Sequence, residues 1–147
     1  MRVSLHRAEL RYGSGLVLHT ASSGGVPHLA ELYLYLEDGE LTGIGEVRTN
    51  IAYLNGLAPE TVVAEAVSAV RDIDWRRDPG ELLASMPDWA GRWSSAVRML
   101  IDCALHDLVA RRAMRPLAVF LGGPRADATV AATNQTLFWS PHESFLS

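Results

Sequence analysis

The stretch Ser94–Gly123, SSAVRMLIDCALHDLVARRAMRPLAVFLGG, decides how the rest of this chain is read. Val97, Leu100, Ile101, Ala104, Leu105 and Leu108 recur at intervals of three and four residues. That spacing lays them along one stripe of an α-helix. Ser94 or Ser95 offers the N-cap oxygen, and the helix is expected to reach about Ala113. Pro116 opens a short second helix. Gly122-Gly123-Pro124 ends it, because glycine tolerates the left-handed conformation of a C-cap and proline cannot continue the helical hydrogen bonds.

Upstream the period changes from helical to alternating. Arg2 to Tyr12 reads as a strand in which Val3 and Leu5 share one face, while Ala8, Leu10 and Tyr12 share the other. That change of phase predicts a bulge near His6 or Arg7. Gly13 to Pro27 reads as a loop with Ser22-Ser23-Gly24-Gly25 at its tip, although Leu16-Val17-Leu18 has strand character. Leu29–Leu36 and Glu40–Val47 flank Asp38-Gly39, a strong hairpin signal because both residues tolerate positive φ. Gly43 and Gly45 then fall on one face of the returning strand, which lets a helix or another backbone approach closely. Arg48 to Ala58 is a second loop. Pro59 starts a helix with Val63, Ala66, Val67 and Val70 as its apolar stripe. Asp78-Pro79-Gly80-Glu81 caps a further short helix carrying Leu82, Leu83 and Met86.

The expected class is therefore α+β: a three-stranded antiparallel meander followed by a helical bundle. Ala128 to Trp139 reads as one more strand, and Ser140-Pro141-His142-Glu143 as a helix start. These divide the chain into a domain over residues 1–124 and a linker, strand and helix start over 125–147.

Bulk properties narrow the function. The chain has 147 residues, 48% apolar, with a net charge of −4, so a large nucleic-acid-binding surface is not expected. No apolar run approaches the ~20 residues of a membrane span. The N-terminus lacks a signal-peptide core, and the single cysteine, Cys103, cannot form an internal disulfide. A reducing cytoplasm is the expected location. All thirteen basic residues are arginine. Arginine stays protonated, so a lysine base, a Schiff base or a P-loop lysine is excluded for this chain acting alone.

The strand hairpin ending Gly43-Ile44-Gly45-Glu46, the helix start Pro59-Glu60-Thr61, the run Ala104-Leu105-His106-Asp107-Leu108 and Pro116-Leu117 leading to Leu121-Gly122-Gly123 follow one another in a specific order. In that order and spacing the chain resembles the enolase superfamily, and within it the mandelate racemase and muconate lactonizing enzyme group. The resemblance covers residues 2 to 136. It implies an N-terminal α+β domain that caps a C-terminal modified TIM barrel. It further implies two capping loops, corresponding here to Gly13–Pro27 and Arg48–Leu57, that close over a substrate. On this resemblance Thr20, Ser22, Ile51 and Tyr53 are the substrate-binding residues; without it these segments read as solvent loops. The family's barrel supplies acid/base residues and three carboxylates that hold Mg²⁺. It removes a proton α to a carboxylate, with the metal stabilising the enediolate.

A full barrel needs more than about 200 residues, and the residues after Gly123 suffice only for its first strand and a helix start. The expectation is a chain of enzymatic lineage with no catalytic residue and no metal or cofactor site of its own, Mg²⁺ belonging to the full-length family. Its partner would be a small carboxylate substrate in the complete enzyme, and it would be inactive alone. The alternative is a stand-alone binding or homo-oligomerisation module, suggested by the apolar strand Thr136-Leu137-Phe138-Trp139.

Other residues read as structural. Asp102 and His106, four apart on a helix, form an ion pair or hydrogen bond in preference to a metal site. Asp107 partners an arginine such as Arg111, and Cys103 packs beside the apolar stripe. His6, His19, His28 and His142 lack ligand spacing. Gly43-Ile44-Gly45 is not a dinucleotide loop, since Arg48 occupies the third glycine position and the segment closes a hairpin. A lone Glu46 has no partner for acid/base work.

Overall fold

A computed structural model describes residues 1–13, 17–20, 24–50 and 56–123. Five strands come first: β1 (Arg2–Arg11), β2 (Leu18–Thr20), β3 (Gly24–Val26), β4 (His28–Asp38) and β5 (Leu41–Arg48). The helices follow: α1 (Pro59–Asp72), α2 (Pro79–Ala84), α3 (Met86–Trp89), a 3-10 turn at Ala90–Arg92, α4 (Ser95–Arg112) and α5 (Leu117–Phe120). β1, β4 and β5 form an antiparallel sheet in that order, and β2 pairs with β3 as a separate ribbon. The expected α+β meander with helices is present. The ribbon occupies part of the segment read as a loop.

The pairing of β1 with β4 runs unbroken from Arg2 opposite Glu37 to Arg11 opposite His28. The expected bulge at His6 or Arg7 is absent, and the change of hydrophobic phase has another cause. Val3 and Leu5 pack against the helix-side core. Farther along the same face, Arg7 and Glu9 are exposed. Helix cover thus extends over only the first half of β1. In the hairpin, Asp38 pairs with Leu41, so the two loop residues are Gly39 and Glu40, one later than expected. Gly39 takes φ +62°, the conformation that a two-residue hairpin requires at its first position.

Strand alternation separates two faces. Leu32, Leu34 and Leu36 of β4 are buried against the helices, whereas Tyr33, Tyr35 and Glu37 lie on the outer face. From β5, Gly43, Gly45 and Val47 face the helices. A Cβ on Gly45 would lie 1.9 Å from the Leu100 carbonyl oxygen. One on Gly43 would lie 2.4 Å from that of Ala104. The two glycines let the backbone of α4 sit directly on the strand, as their spacing predicts.

α4 buries the whole expected stripe, Val97 through Leu108, and Ser94 caps it by accepting from the Val97 N–H. Glu65 of α1 accepts from the Ser94 N–H at 3.1 Å, tying the two helices together at that end. Cys103 corrects the sequence reading. It is exposed, because steps of about 100° per residue carry position 103 past the edge of the buried stripe. Its thiol pKa is raised, first by partial burial and then by the Asp102 carboxylate. In α1 the buried positions are Val62, Ala66 and Ala69, with Val63 and Val70 only partly covered. The stripe is thus rotated by one residue from the reading. Asp78 caps α2 through the Gly80 and Glu81 N–H groups.

Two helices end alike. After α5, Gly123 donates to Ala118 O and Gly122 to Val119 O, with Gly122 at φ +85°. After α4, Arg115 donates to Ala110 O and Met114 to Arg111 O, with Met114 at φ +52°. Both are Schellman closures, the second with a methionine where glycine is favoured.

Candidate functional site

Register fixes where the two loop segments leave the sheet. Arg11 pairs with His28 and Glu31 with Arg48. The end of β1, the entry to β4 and the exit of β5 therefore lie side by side at one end of the sheet. The segment containing the β2–β3 ribbon and the segment after Arg48 both depart from that end. Of the four expected substrate-binding residues, Thr20 is the last residue of β2. Ser22, Ile51 and Tyr53 lie outside the described residues.

The exit from β5 is pinned by side chains that imitate a strand. The Thr49 N–H donates to Ala30 O at 2.8 Å, and Thr49 Oγ1 donates to the same oxygen at 3.0 Å. Asn50 Oδ1 accepts from the Ala30 N–H at 3.0 Å while Asn50 Nδ2 donates to His28 O at 2.8 Å. The amide thus satisfies the donor and acceptor that a further paired strand residue would satisfy. The loop consequently begins from a fixed point.

On the outer face beside this exit, Arg48 Nε donates to Glu31 Oε1 at 2.9 Å. The Glu31 side chain is fully buried, whereas that of Arg48 is 36% exposed. The hydrogen bond to Glu31 holds the guanidinium pKa up, against the effect of burial. Glu31 Oε2 and the Tyr12 hydroxyl are buried without a hydrogen-bond partner among the described residues. An ionised buried carboxylate is costly without its partner, so Glu31 requires Arg48. Glu46 lies exposed on the same face, and its charge adds to partial burial in raising the Tyr33 phenol pKa.

Other candidates are accounted for by packing. His106 Nδ1 lies 3.1 Å from Asp102 Oδ1 and from the Asp102 carbonyl oxygen, with Phe120 edge-on to the ring. A cleft of about 550 Å³ borders this pair on the side of α4 turned away from the sheet. Asp107 has two partners: Arg111 Nε at 2.9 Å, as expected, and the Ile44 N–H of β5 at 3.0 Å. Among the described residues no group of three His, Cys, Asp or Glu side chains is placed to hold a metal ion. They do not fit Mg²⁺. No described helix is long and apolar enough to cross a membrane.

Sequence reasoning missed Glu31, Thr49 and Asn50. Glu31 carried a signal, as a carboxylate inside an otherwise apolar strand with Arg48 at the paired position. Thr49 and Asn50 carried none beyond their turn-forming chemistry.

The chain is similar to several solved structures. With an L-Ala-D/L-Glu epimerase it shares 27% identity at a TM-score of 0.54, over 84% of this chain and 33% of that one. With a dipeptide epimerase from Enterococcus faecalis, crystallised with Mg and the dipeptide L-Leu-L-Tyr, it shares 20% identity at a TM-score of 0.66, over 82% of this chain and 34% of that one. With a mandelate racemase/muconate lactonizing enzyme from Roseovarius nubinhibens it shares 20% identity at a TM-score of 0.66, over 82% and 33%. No protein-family model and no curated protein matches the chain. The fold is of the α+β class, and it matches about a third of each of these chains. More particularly, it is the fold shared by these epimerases and the mandelate racemase/muconate lactonizing enzyme, and the chain spans about a third of the length of the structures it matches.

Proposed function

We propose that this chain is the capping and specificity portion of a Mg²⁺-dependent enolase-superfamily enzyme acting on a small carboxylate. The observation that carries this reading is the departure of both loop segments from one end of the sheet. The exit of β5 there is pinned by Thr49 and Asn50. A rigid scaffold that presents two loops side by side suits substrate enclosure. Thr20, Ser22, Ile51 and Tyr53 on those segments would line the enclosed space. One of the similar structures is a dipeptide epimerase by name and another an L-Ala-D/L-Glu epimerase, so dipeptides are the first substrate class to try.

In this reading the metal and the acid/base groups belong to a barrel outside the described residues. The metal supplies stabilisation of charge developing on the substrate carboxylate. The residues of this chain enclose, orient and exclude water. The setting in this reading is cytoplasmic, in keeping with a chain that has one cysteine, Cys103.

The purified chain should neither racemise a dipeptide nor bind Mg²⁺ at micromolar affinity by calorimetry. Turnover, or a micromolar Mg²⁺ isotherm, would replace the capping reading with that of a self-contained enzyme.

A further inference from the structure

The two edges of the main sheet differ. At the β5 edge, Asp107 of α4 reaches the Ile44 N–H. The β1 edge spans ten residues, and among the described residues its backbone pairs with β4 alone. An unpaired strand of that length is a template for another strand. We infer that two copies of this chain pair β1 to β1 antiparallel about a two-fold axis, with Ala8 at the axis and Arg7 of each copy facing Glu9 of the other.

Symmetry restricts the choices. A two-fold axis perpendicular to the sheet keeps the same face up in both copies, so residues directly opposite must share a face. Positions of equal parity alone can then oppose, which places a residue, and not a gap between residues, on the axis. With Arg7 on the axis, its guanidinium meets its own copy. With Glu9 there, the carboxylate meets its own copy and Arg7 meets Arg11. With His6 there, Arg7 faces Leu5 and Glu9 faces Val3. Ala8 on the axis juxtaposes the smallest side chain of the strand with itself and forms the Arg7–Glu9 pair twice. It also brings the exposed Leu10 against His6.

Both charged residues are available for this. Arg7 and Glu9 are exposed. The Glu9 contact within the chain is to Arg11 at 3.4 Å, between largely exposed side chains, a geometry that contributes little. Charges along an edge discourage indiscriminate pairing, and arranged in self-complementary order they also select one register. This inference is independent of the capping reading, because it rests on β1 and not on the loops.

Sedimentation velocity over a concentration series tests it, with circular dichroism confirming that each variant keeps its fold. The wild-type chain should dimerise. Arg7→Glu and Glu9→Arg should each weaken the dimer about tenfold or more, because each places like charges opposite one another. The double variant should restore dimerisation, and an equimolar mixture of the two single variants should form heterodimers. A wild-type chain that stays monomeric to millimolar concentration would overturn the proposal. So would single variants that dimerise like wild type, or a mixture that associates no better than its components.

Discussion

The β5 and β1 sides of one sheet are built on opposite principles. At β5 the strand gives up side chains at Gly43 and Gly45 so that the backbone of α4 rests against it, and Asp107 closes over the Ile44 N–H. At β1 the strand keeps its side chains and half of its helix-side face is bare: Arg7 and Glu9 are exposed where Val3 and Leu5 are covered. The same strand chemistry therefore yields a locked edge and an open one, depending on what the helices cover. Beyond the locked stretch, Thr49 and Asn50 hold the exit of β5 to β4 and so set the start of the second loop segment.

The largest expected effect breaks the lock. Gly45→Ala drives a Cβ into the Leu100 carbonyl and should cost about 3 kcal/mol or more in urea unfolding, as severe overpacking does. Ser4→Ala on the open β1 should stay within about 0.5 kcal/mol of wild type. Equal losses at the two sites would erase the distinction between the edges. Asp107→Ala removes the acceptor for the Ile44 N–H and should cost about 1 kcal/mol, whereas Asp107→Asn keeps an acceptor and should cost less. A comparable rise is expected from Met114→Gly, since it relieves an exposed left-handed methionine and should stabilise the chain by about 1 kcal/mol.

The smallest effect is electrostatic. Arg112 Nε reaches Asp38 at 2.9 Å and its Nη1 reaches Asp78 at 2.7 Å, joining the hairpin turn to the start of α2. The hydrogen bond from Arg112, followed by that from the Gly80 N–H, lowers the Asp78 pKa. A carboxylate whose pKa is lowered by folding stabilises the fold above its unfolded value of about 3.9. That contribution is lost as pH falls through the lower folded value. Asp78→Asn should therefore flatten the acid limb of the stability curve below about pH 4. The change should be under about 1 kcal/mol, because the pair is half exposed. Identical acid limbs would remove Asp78 from the network.

What could be read in advance follows from whether a residue's neighbours are local. The α4 stripe, the Ser94 and Asp78 caps and the Gly122 closure are local and were legible. So was the close approach at Gly43 and Gly45, because two glycines two apart in a strand have few other uses. The β1 bulge was misread because the limit of helix cover is a tertiary fact, invisible in the alternation of Val3, Leu5, Ala8 and Leu10. Cys103 was misplaced for a similar reason, lying just beyond the boundary of the buried stripe. At the candidate site, the pinning by Thr49 and Asn50 depends on pairing with His28 and Ala30 some twenty residues away in sequence, and no local pattern marks it.

The central claim, that this chain shapes specificity while another domain supplies the chemistry, is tested most directly by a chimera. Residues 1–123 would replace the matched third of the L-Ala-D/L-Glu epimerase. The folded hybrid would then be assayed on a dipeptide panel across a Mg²⁺ titration. The account predicts an unchanged Mg²⁺ requirement with an altered order of dipeptide preference, and a further shift in KM on substituting Tyr53→Ala. A hybrid with the parent's preference order, indifferent to Tyr53, would contradict it.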